Sequence, residues 1–371
     1  MLRELDYQTR VLEALDGYLD TLKAEKEKAD KVAALVAENP DLGIPVPDFA
    51  EKAWGRIKRP RAHVPYDPRH DGAGRPVPDV VLKVPTGGGK TLLATYSLSR
   101  IFGRYLNRTT GFVLWIVPNE AIYSQTLRHL SDRQHPYRQV LDRAAAGRVR
   151  IMEKADRLDA RDVEGQLCVM LLMLQSANRE TQDSLKMFRD RGDVNGFFPP
   201  EGDQAAHKAA IAATPNLDAY DDIFPMVKDS LGNALRVIRP VVVMDEGHKA
   251  VSDLAFNTLY GFNPCFVLEL TATPHDVQPK GGKTTKPGRY ANVLVEITGK
   301  DLDREGMIKM PLNLDTRQGN DWKATLNAAL ERLKGLDAEA VRLRSDTDRY
   351  IRPIMLVQVE RTGKDQRTSG H

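Results

Sequence analysis

The run Pro85-Thr86-Gly87-Gly88-Gly89-Lys90-Thr91 constrains this chain more than any other stretch. It follows directly on Val80-Val-Leu-Lys-Val84, an apolar run of strand character. It precedes Leu92-Leu-Ala-Thr-Tyr-Ser-Leu98, which reads as a helix. Strand, glycine loop, Lys-Thr and helix is the order needed to wrap a backbone around phosphate. Glycines let successive N–H groups curl about an anion without Cβ clashes, and the helix N-terminus adds a favourable dipole. In such a loop Thr86, Gly87, Gly88 and Gly89 supply the cradle, Lys90 reaches the β- and γ-phosphates, and Thr91 offers its hydroxyl to Mg²⁺. Val84 stands where the general pattern has its first glycine. A similar run, Gly281-Gly-Lys-Thr284, lacks the context, because Pro287 interrupts any helix after it; it is expected to be a polar loop.

A second motif supplies acids. Val241-Val-Val-Met-Asp245-Glu246-Gly247-His248 is an apolar strand ending in two carboxylates. Asp245 at a strand terminus can hold Mg²⁺ through its water shell. Glu246 can orient and deprotonate an attacking water. His248 lies two residues further on. Leu270-Thr271-Ala272-Thr273-Pro274 follows the next strand-like run, and the hydroxyls of Thr271 and Thr273 are candidates to link hydrolysis to a second domain.

The remaining strand candidates are Phe112–Val117, Val149–Met152, Leu167–Met173, Phe266–Leu270 and Val293–Ile297. They are nearly continuous in β-branched and aliphatic residues rather than alternating. That pattern predicts strands buried on both faces, hence an α/β fold with a mostly parallel sheet flanked by helices. Residues 2–38 carry Leu2, Leu5, Val11, Leu12, Leu15, Leu19 and Leu22 at helical spacing, with Asn39-Pro40 as a stop. The charged continuation Lys23–Lys28 reads as a solvated face. Between about 177 and 235 the pattern breaks into a polar stretch punctuated by Gly and Pro, read as an insertion in the core.

Charge does little to identify partners. The chain has 54 basic and 51 acidic residues in 371, a formal net charge of +3, so a nucleic-acid partner has to be argued locally. Arg56-Ile-Lys58-Arg59-Pro-Arg61 with Arg69, His70 and Arg75 forms a basic segment that reads equally as a phosphate contact and as a solvated linker. Cys168 and Cys265 sit in apolar runs without zinc spacing and are expected to be reduced core thiols. No leader pattern or membrane-length apolar run is visible, and a cytoplasmic protein with no membrane association is expected.

Taken in order, these motifs resemble the first RecA-like domain of a superfamily 2 helicase. Lys83–Thr91 resembles motif I, and Trp115-Ile-Val-Pro118 resembles motif Ia. Asp245–His248 resembles the DEAD/DEAH box, with Gly247 where Ala is usual, and Thr271-Ala-Thr273 resembles motif III. Leu5-Asp-Tyr-Gln8 resembles the upstream Gln element, which implies that Gln8 reads adenine. Within the superfamily the chain looks like the restriction (Res) subunits of type III restriction enzymes. Asp301–Pro311 resembles the segment that closes the first motor domain in that group, and Ile351–Gln358 resembles the first strand of the second.

The resemblance implies a division into an N-terminal helical region over 1–55, a first RecA-like domain over 56–312, a helical linker over 313–350 and the start of a second RecA-like domain over 351–371. It implies ATP and Mg²⁺ as ligands, DNA as the polymer acted on, and a modification methyltransferase as a partner subunit. The second motor domain of such proteins carries a Gln-x-x-Gly-Arg-x-x-Arg motif, which these residues do not contain. The chain is therefore expected to bind ATP–Mg²⁺, to hydrolyse it slowly and to be a fragment of a longer motor. A non-catalytic nucleotide-binding module and a P-loop enzyme of another class are the competing readings. The Asp-Glu-Gly-His and Thr-Ala-Thr pair argues against the latter. No Asp…Glu-x-Lys nuclease constellation stands out.

Overall fold

The computed structural model describes residues 5–173, 187, 192–220, 225–246, 253–277, 288–307 and 322–357. The chain divides into two compact units, Met1–Lys309 and Met310–His371.

The first unit opens with α1 (Asp6–Glu38) and α2 (Phe49–Trp54). It continues through β1 (Asp79–Lys83), α3 (Lys90–Arg100), β2 (Gly111–Val117), α4 (Glu120–Ser131), α5 (Pro136–Ala144) and β3 (Val149–Glu153). Next come β4 (Leu158–Asp159), α6 (Ala160–Gly165), β5 (Leu167–Met173), β6 (Val194–Asn195), α7 (Gln204–Ala213) and α8 (Leu231–Ile238). It closes with β7 (Val241–Asp245), α9 (Asp253–Tyr260), β8 (Phe266–Thr271), β9 (Val293–Glu296) and α10 (Gly299–Arg304).

Seven strands form one sheet in the order β3-β5-β2-β7-β8-β1-β9, and every pairing in it is parallel. The seven apolar runs of the sequence are these seven strands. Their continuity follows from helices covering both faces. Val80, Leu82, Trp115, Val243 and Leu268 point into one core with α1, α3 and α5. Phe112, Leu114, Val242 and Val267 point into the other with α8 and α9. The architecture is the RecA-like α/β fold expected from the motifs.

α1 begins at Asp6 and ends at Glu38 with Asn39 as its cap, and Pro40 opens a short 3-10 turn. Its stripe Tyr7, Val11, Leu12, Leu15, Tyr18, Leu19 and Leu22 is buried, at the i, i+3, i+4 spacing of a helix lying on a core. Trp54 of α2 meets Tyr18 edge-on at 5.9 Å. The charged continuation is not wholly solvated, because Glu25 is buried where Lys28 and Arg56 reach it at 2.7 and 3.2 Å. Those two cations hold its carboxyl below the ordinary value.

The polar stretch read as an insertion is partly structured. β6 pairs in parallel with β4. α7 places His207 in the interior, where its Nδ1 accepts from the Val227 amide at 3.2 Å. The last residues of the expected insertion belong to the core instead. Leu231, Ala234 and Leu235 of α8 are buried against the sheet, as the helix leading into β7 must be. Cys168 is buried, which pushes its thiol up to about 12, whereas Cys265 is only partly covered. Gly281–Thr284 lies outside the described residues.

The second unit contains α11 (Trp322–Thr347), in the region expected to be a helical linker. A strand was expected at Ile351–Gln358. Among the described residues, 351–357 instead carry no strand pairing, and Ile354 and Leu356 are 85% and 90% exposed. A lone extended segment has no neighbour to complete its backbone hydrogen bonds, so apolar composition alone does not make it a strand. Among the described residues no helix is long and apolar enough to cross a membrane.

Candidate functional site

The motif residues gather at the carboxyl ends of three neighbouring strands, β1, β8 and β7. The glycine loop leaves β1 and enters α3 at Lys90. Gly87 and Gly89 have φ of +91° and +69°, conformations that disfavour a Cβ. A Cβ on Gly88 would lie 2.7 Å from Val84 Cγ1, so this position is closed to side chains by packing. The loop thus presents its backbone, with the amino end of α3 directly behind Gly89.

Backbone bonds lock the three strand ends together. The Val84 amide donates to the Thr271 carbonyl at 2.9 Å, and the Glu246 amide donates to the Leu270 carbonyl at 2.9 Å. Glu246 has φ +59°, a left-handed conformation that is uncommon for a residue with a side chain and typical of strained functional turns. That turn aims its carboxylate at the loop: Lys90 Nζ lies 2.7 Å from Glu246 Oε1, with both side chains largely covered. A cation and a carboxylate are therefore held together at the mouth of a backbone anion cradle.

Asp245 ends β7 beside Glu246. Thr91 occupies the first turn of α3. A hydroxyl and a carboxylate are hard oxygen donors of the kind Mg²⁺ accepts when phosphates and water complete its shell. Among the described residues no group of three or more His, Cys, Asp or Glu is suited to a metal. Thr271 is buried and its Oγ1 accepts from the Thr273 amide at 3.2 Å, which shapes the turn after β8. Thr86 and Thr273 are exposed. His248 lies outside the described residues.

Gln8 is brought to the loop as well, but it is buried, with its Nε2 placed 3.4 Å from where a Cβ on Gly89 would sit. Its Oε1 accepts from the Leu5 amide at 3.1 Å, so it caps its own helix. The residue that sequence reasoning missed is its neighbour. Tyr7 Oη donates to the Gly88 carbonyl at 2.9 Å in the interior. Burial pushes the Tyr7 phenol above its ordinary value, keeping it a donor. The closing segment backs the same loop: Arg10 pairs with Asp301 at 2.6 Å, the Asp6 amide donates to Glu305, and Leu302 packs against Gly88.

The basic segment behaves differently. Arg69 is buried between Asp67 and Asp79 at 2.6 and 3.3 Å. Arg75 pairs with Asp71, Arg61 with Asp276, and Arg56 with Glu25. Arg59 lies over the Trp54 ring, 5.7 Å from its centroid. The guanidiniums of this segment are engaged by the protein itself.

The parallel sheet and the motif edge define a RecA-like α/β domain. The model of the type III restriction enzyme res subunit matches residues 61–276, and the chain belongs to that family. No curated protein matches it in sequence. Among solved structures it is similar to the crystal structure of the Pyrococcus furiosus Hef helicase domain, at 16% identity and a TM-score of 0.25. That alignment covers 53% of this chain and 30% of the other.

Proposed function

We propose that this chain binds ATP–Mg²⁺ through Thr86–Thr91 and forms the nucleotide half of a DNA helicase or translocase of the restriction-subunit type. The observation that carries this reading is the Lys90–Glu246 pair at 2.7 Å across the glycine loop. A γ-phosphate entering the loop competes for the Lys90 ammonium. Glu246 is then released to orient a water and take its proton, which is general-base chemistry at a preorganised site. Thr91 and Asp245 would hold the Mg²⁺, which supplies charge neutralisation on the phosphates. Thr271 and Thr273 would carry the state of this edge to a second domain, and His248 would act beside Glu246.

DNA is the polymer favoured by the family, and a modification methyltransferase is the proposed partner subunit. Arginines of the Gln-x-x-Gly-Arg-x-x-Arg type are not among these 371 residues. An arginine supplied to the transferring phosphate is worth roughly 10³–10⁵ in rate. The 371-residue polypeptide is therefore expected to bind ATP while turning it over slowly. Phosphate release measured with and without duplex DNA, single-stranded DNA and RNA tests this. Brisk polymer-stimulated turnover by these 371 residues would contradict the half-site reading. Absence of binding to all three polymers across a salt titration would contradict the motor reading and leave a nucleotide-binding module.

A further inference from the structure

We infer that Tyr7 is a positioning residue of the phosphate cradle, acting through the Gly88–Gly89 peptide, and that Gln8 works through Tyr7 in the same relay. The inference rests on the nucleotide reading above and specifies how the loop is held in register.

The geometry begins with one peptide unit. In a trans peptide the carbonyl of one residue and the amide N–H of the next point in opposite directions. The Gly88 carbonyl accepts from Tyr7 Oη at 2.9 Å on the buried side of the loop. The Gly89 N–H, carried by the same rigid plane, is thereby directed away from the core and towards the cradle. Glycine is the residue most free to rotate such a plane, and this loop has three in succession. Without an anchor, the Gly88–Gly89 unit has alternative orientations in which a carbonyl oxygen, rather than an N–H, faces the anion. The tyrosine hydroxyl selects the productive one.

Four further contacts make the anchor rigid. Gln8 Nε2 donates to Tyr7 Oη at 3.4 Å, a long bond that orients the hydroxyl proton towards Gly88. Gln8 Oε1 is itself fixed by the Leu5 amide at 3.1 Å. The start of α1 is clamped to α10 by Arg10–Asp301 at 2.6 Å and by the Asp6 amide on Glu305 at 3.1 Å. Tyr7 is 1% exposed and Gln8 4%, so both act from behind the loop rather than from the face a nucleotide base would approach.

The consequence is selectivity of a definite kind. A residue that sets the phosphate cradle affects every ligand carrying the polyphosphate, whatever its base. The test is equilibrium binding of ATP, GTP and inorganic tripolyphosphate, each with Mg²⁺, to wild type, Tyr7→Phe, Gln8→Ala and Lys90→Ala. Tyr7→Phe keeps the ring packing and removes only the donor. It is expected to weaken all three ligands by a similar factor, on the order of tenfold, with the ATP-to-GTP ratio unchanged. Gln8→Ala is expected to act in the same base-independent way and more weakly.

Unchanged affinity in Tyr7→Phe, alongside a clear loss in Lys90→Ala, would overturn the positioning role and leave the nucleotide site standing. A loss confined to ATP, with tripolyphosphate unaffected, would overturn it in favour of base recognition by Tyr7 and Gln8. Failure of wild type to bind any of the three would overturn the nucleotide reading and this inference with it. A measurement on wild type alone guards against a variant that does not fold. Amide exchange at Gly89 should slow with ATP and tripolyphosphate alike, and exchange unaltered at saturating ligand would contradict the orientation assigned to that peptide.

Discussion

The glycine loop Pro85–Thr91 and the basic segment Arg56–Arg75 differ in where their positive potential comes from and in what it is available to do. The loop contributes one cation, Lys90, and otherwise offers backbone donors whose directions are fixed by positive φ at Gly87 and Gly89. The segment contributes several guanidiniums, but Glu25, Asp67, Asp71, Asp79 and Asp276 already take them up. An anion site needs donors that are oriented, and a cation that a ligand can draw from its partner, as proposed for Lys90 and Glu246. Charge counted along a sequence measures neither property. Backbone geometry at the loop supplies the first, and only the fold reveals the second.

The largest expected effect separates the two regions by chemistry. Glu246→Gln should retain ATP binding while phosphate release falls by roughly 10²–10⁴ relative to wild type, as loss of a general base does. Turnover unchanged in that variant would remove Glu246 from the site.

Next in size is a stability effect in the basic segment. Arg69→Met leaves Asp79, which is 1% exposed, without its cation. Breaking such a buried pair from one side costs about 3–5 kcal/mol. Denaturant unfolding should show that loss, with ATP affinity of the folded fraction unchanged. A large fall in DNA or ATP binding without a change in stability would instead make Arg69 an anion contact.

A smaller effect depends on pH. Glu269 on β8 faces the same buried network, and burial, together with the nearby Asp79, pushes its carboxyl up to about 8. Its ordinary value is 4.5. Between those values the folded protein holds more protons than the unfolded chain, so stability falls as pH rises through that window. Glu269→Gln should flatten this slope and stabilise the protein above pH ~8. Unfolding measured from pH 5 to 9 reads it, and an unchanged slope would contradict the assignment.

The smallest effects sharpen the contrast within the segment. Arg61→Ala should cost about 1 kcal/mol, as a half-buried ion pair does, without altering the salt dependence of DNA binding. A drop in the salt slope of about one would show that Arg61 does reach a phosphate.

Much of this was legible beforehand for identifiable reasons. The seven sheet strands were readable because a strand covered on both faces is apolar without interruption, as in Leu167–Met173. The loop and the acids stand out in the sequence because the chemistry proposed for them depends on adjacent residues, and the fold brings Lys90 and Glu246 together. The relay from Tyr7 to Gly88 was not, since it joins residues 81 apart and leaves no periodic trace. Burial of Glu25 was hidden for the same kind of reason: it sits in a charged run that reads as surface, and its partner Arg56 lies just past the end of α2. The pair β4–β6 is two residues long in each strand, too short for any pattern. The segment 351–357 shows the converse, an apolar run that composition alone makes strand-like but that pairs with nothing among the described residues.

The central claim is that Lys90, held against Glu246 at the mouth of the glycine loop, is there to receive a nucleotide's phosphates. Calorimetric titration of ATP–Mg²⁺ into wild type and Lys90→Ala tests it directly. The account predicts saturable one-site binding to wild type and an affinity roughly ten- to a hundredfold weaker in the variant, the loss appropriate to a charge-assisted hydrogen bond. Equal affinity in the two proteins, or no binding to wild type, would contradict it.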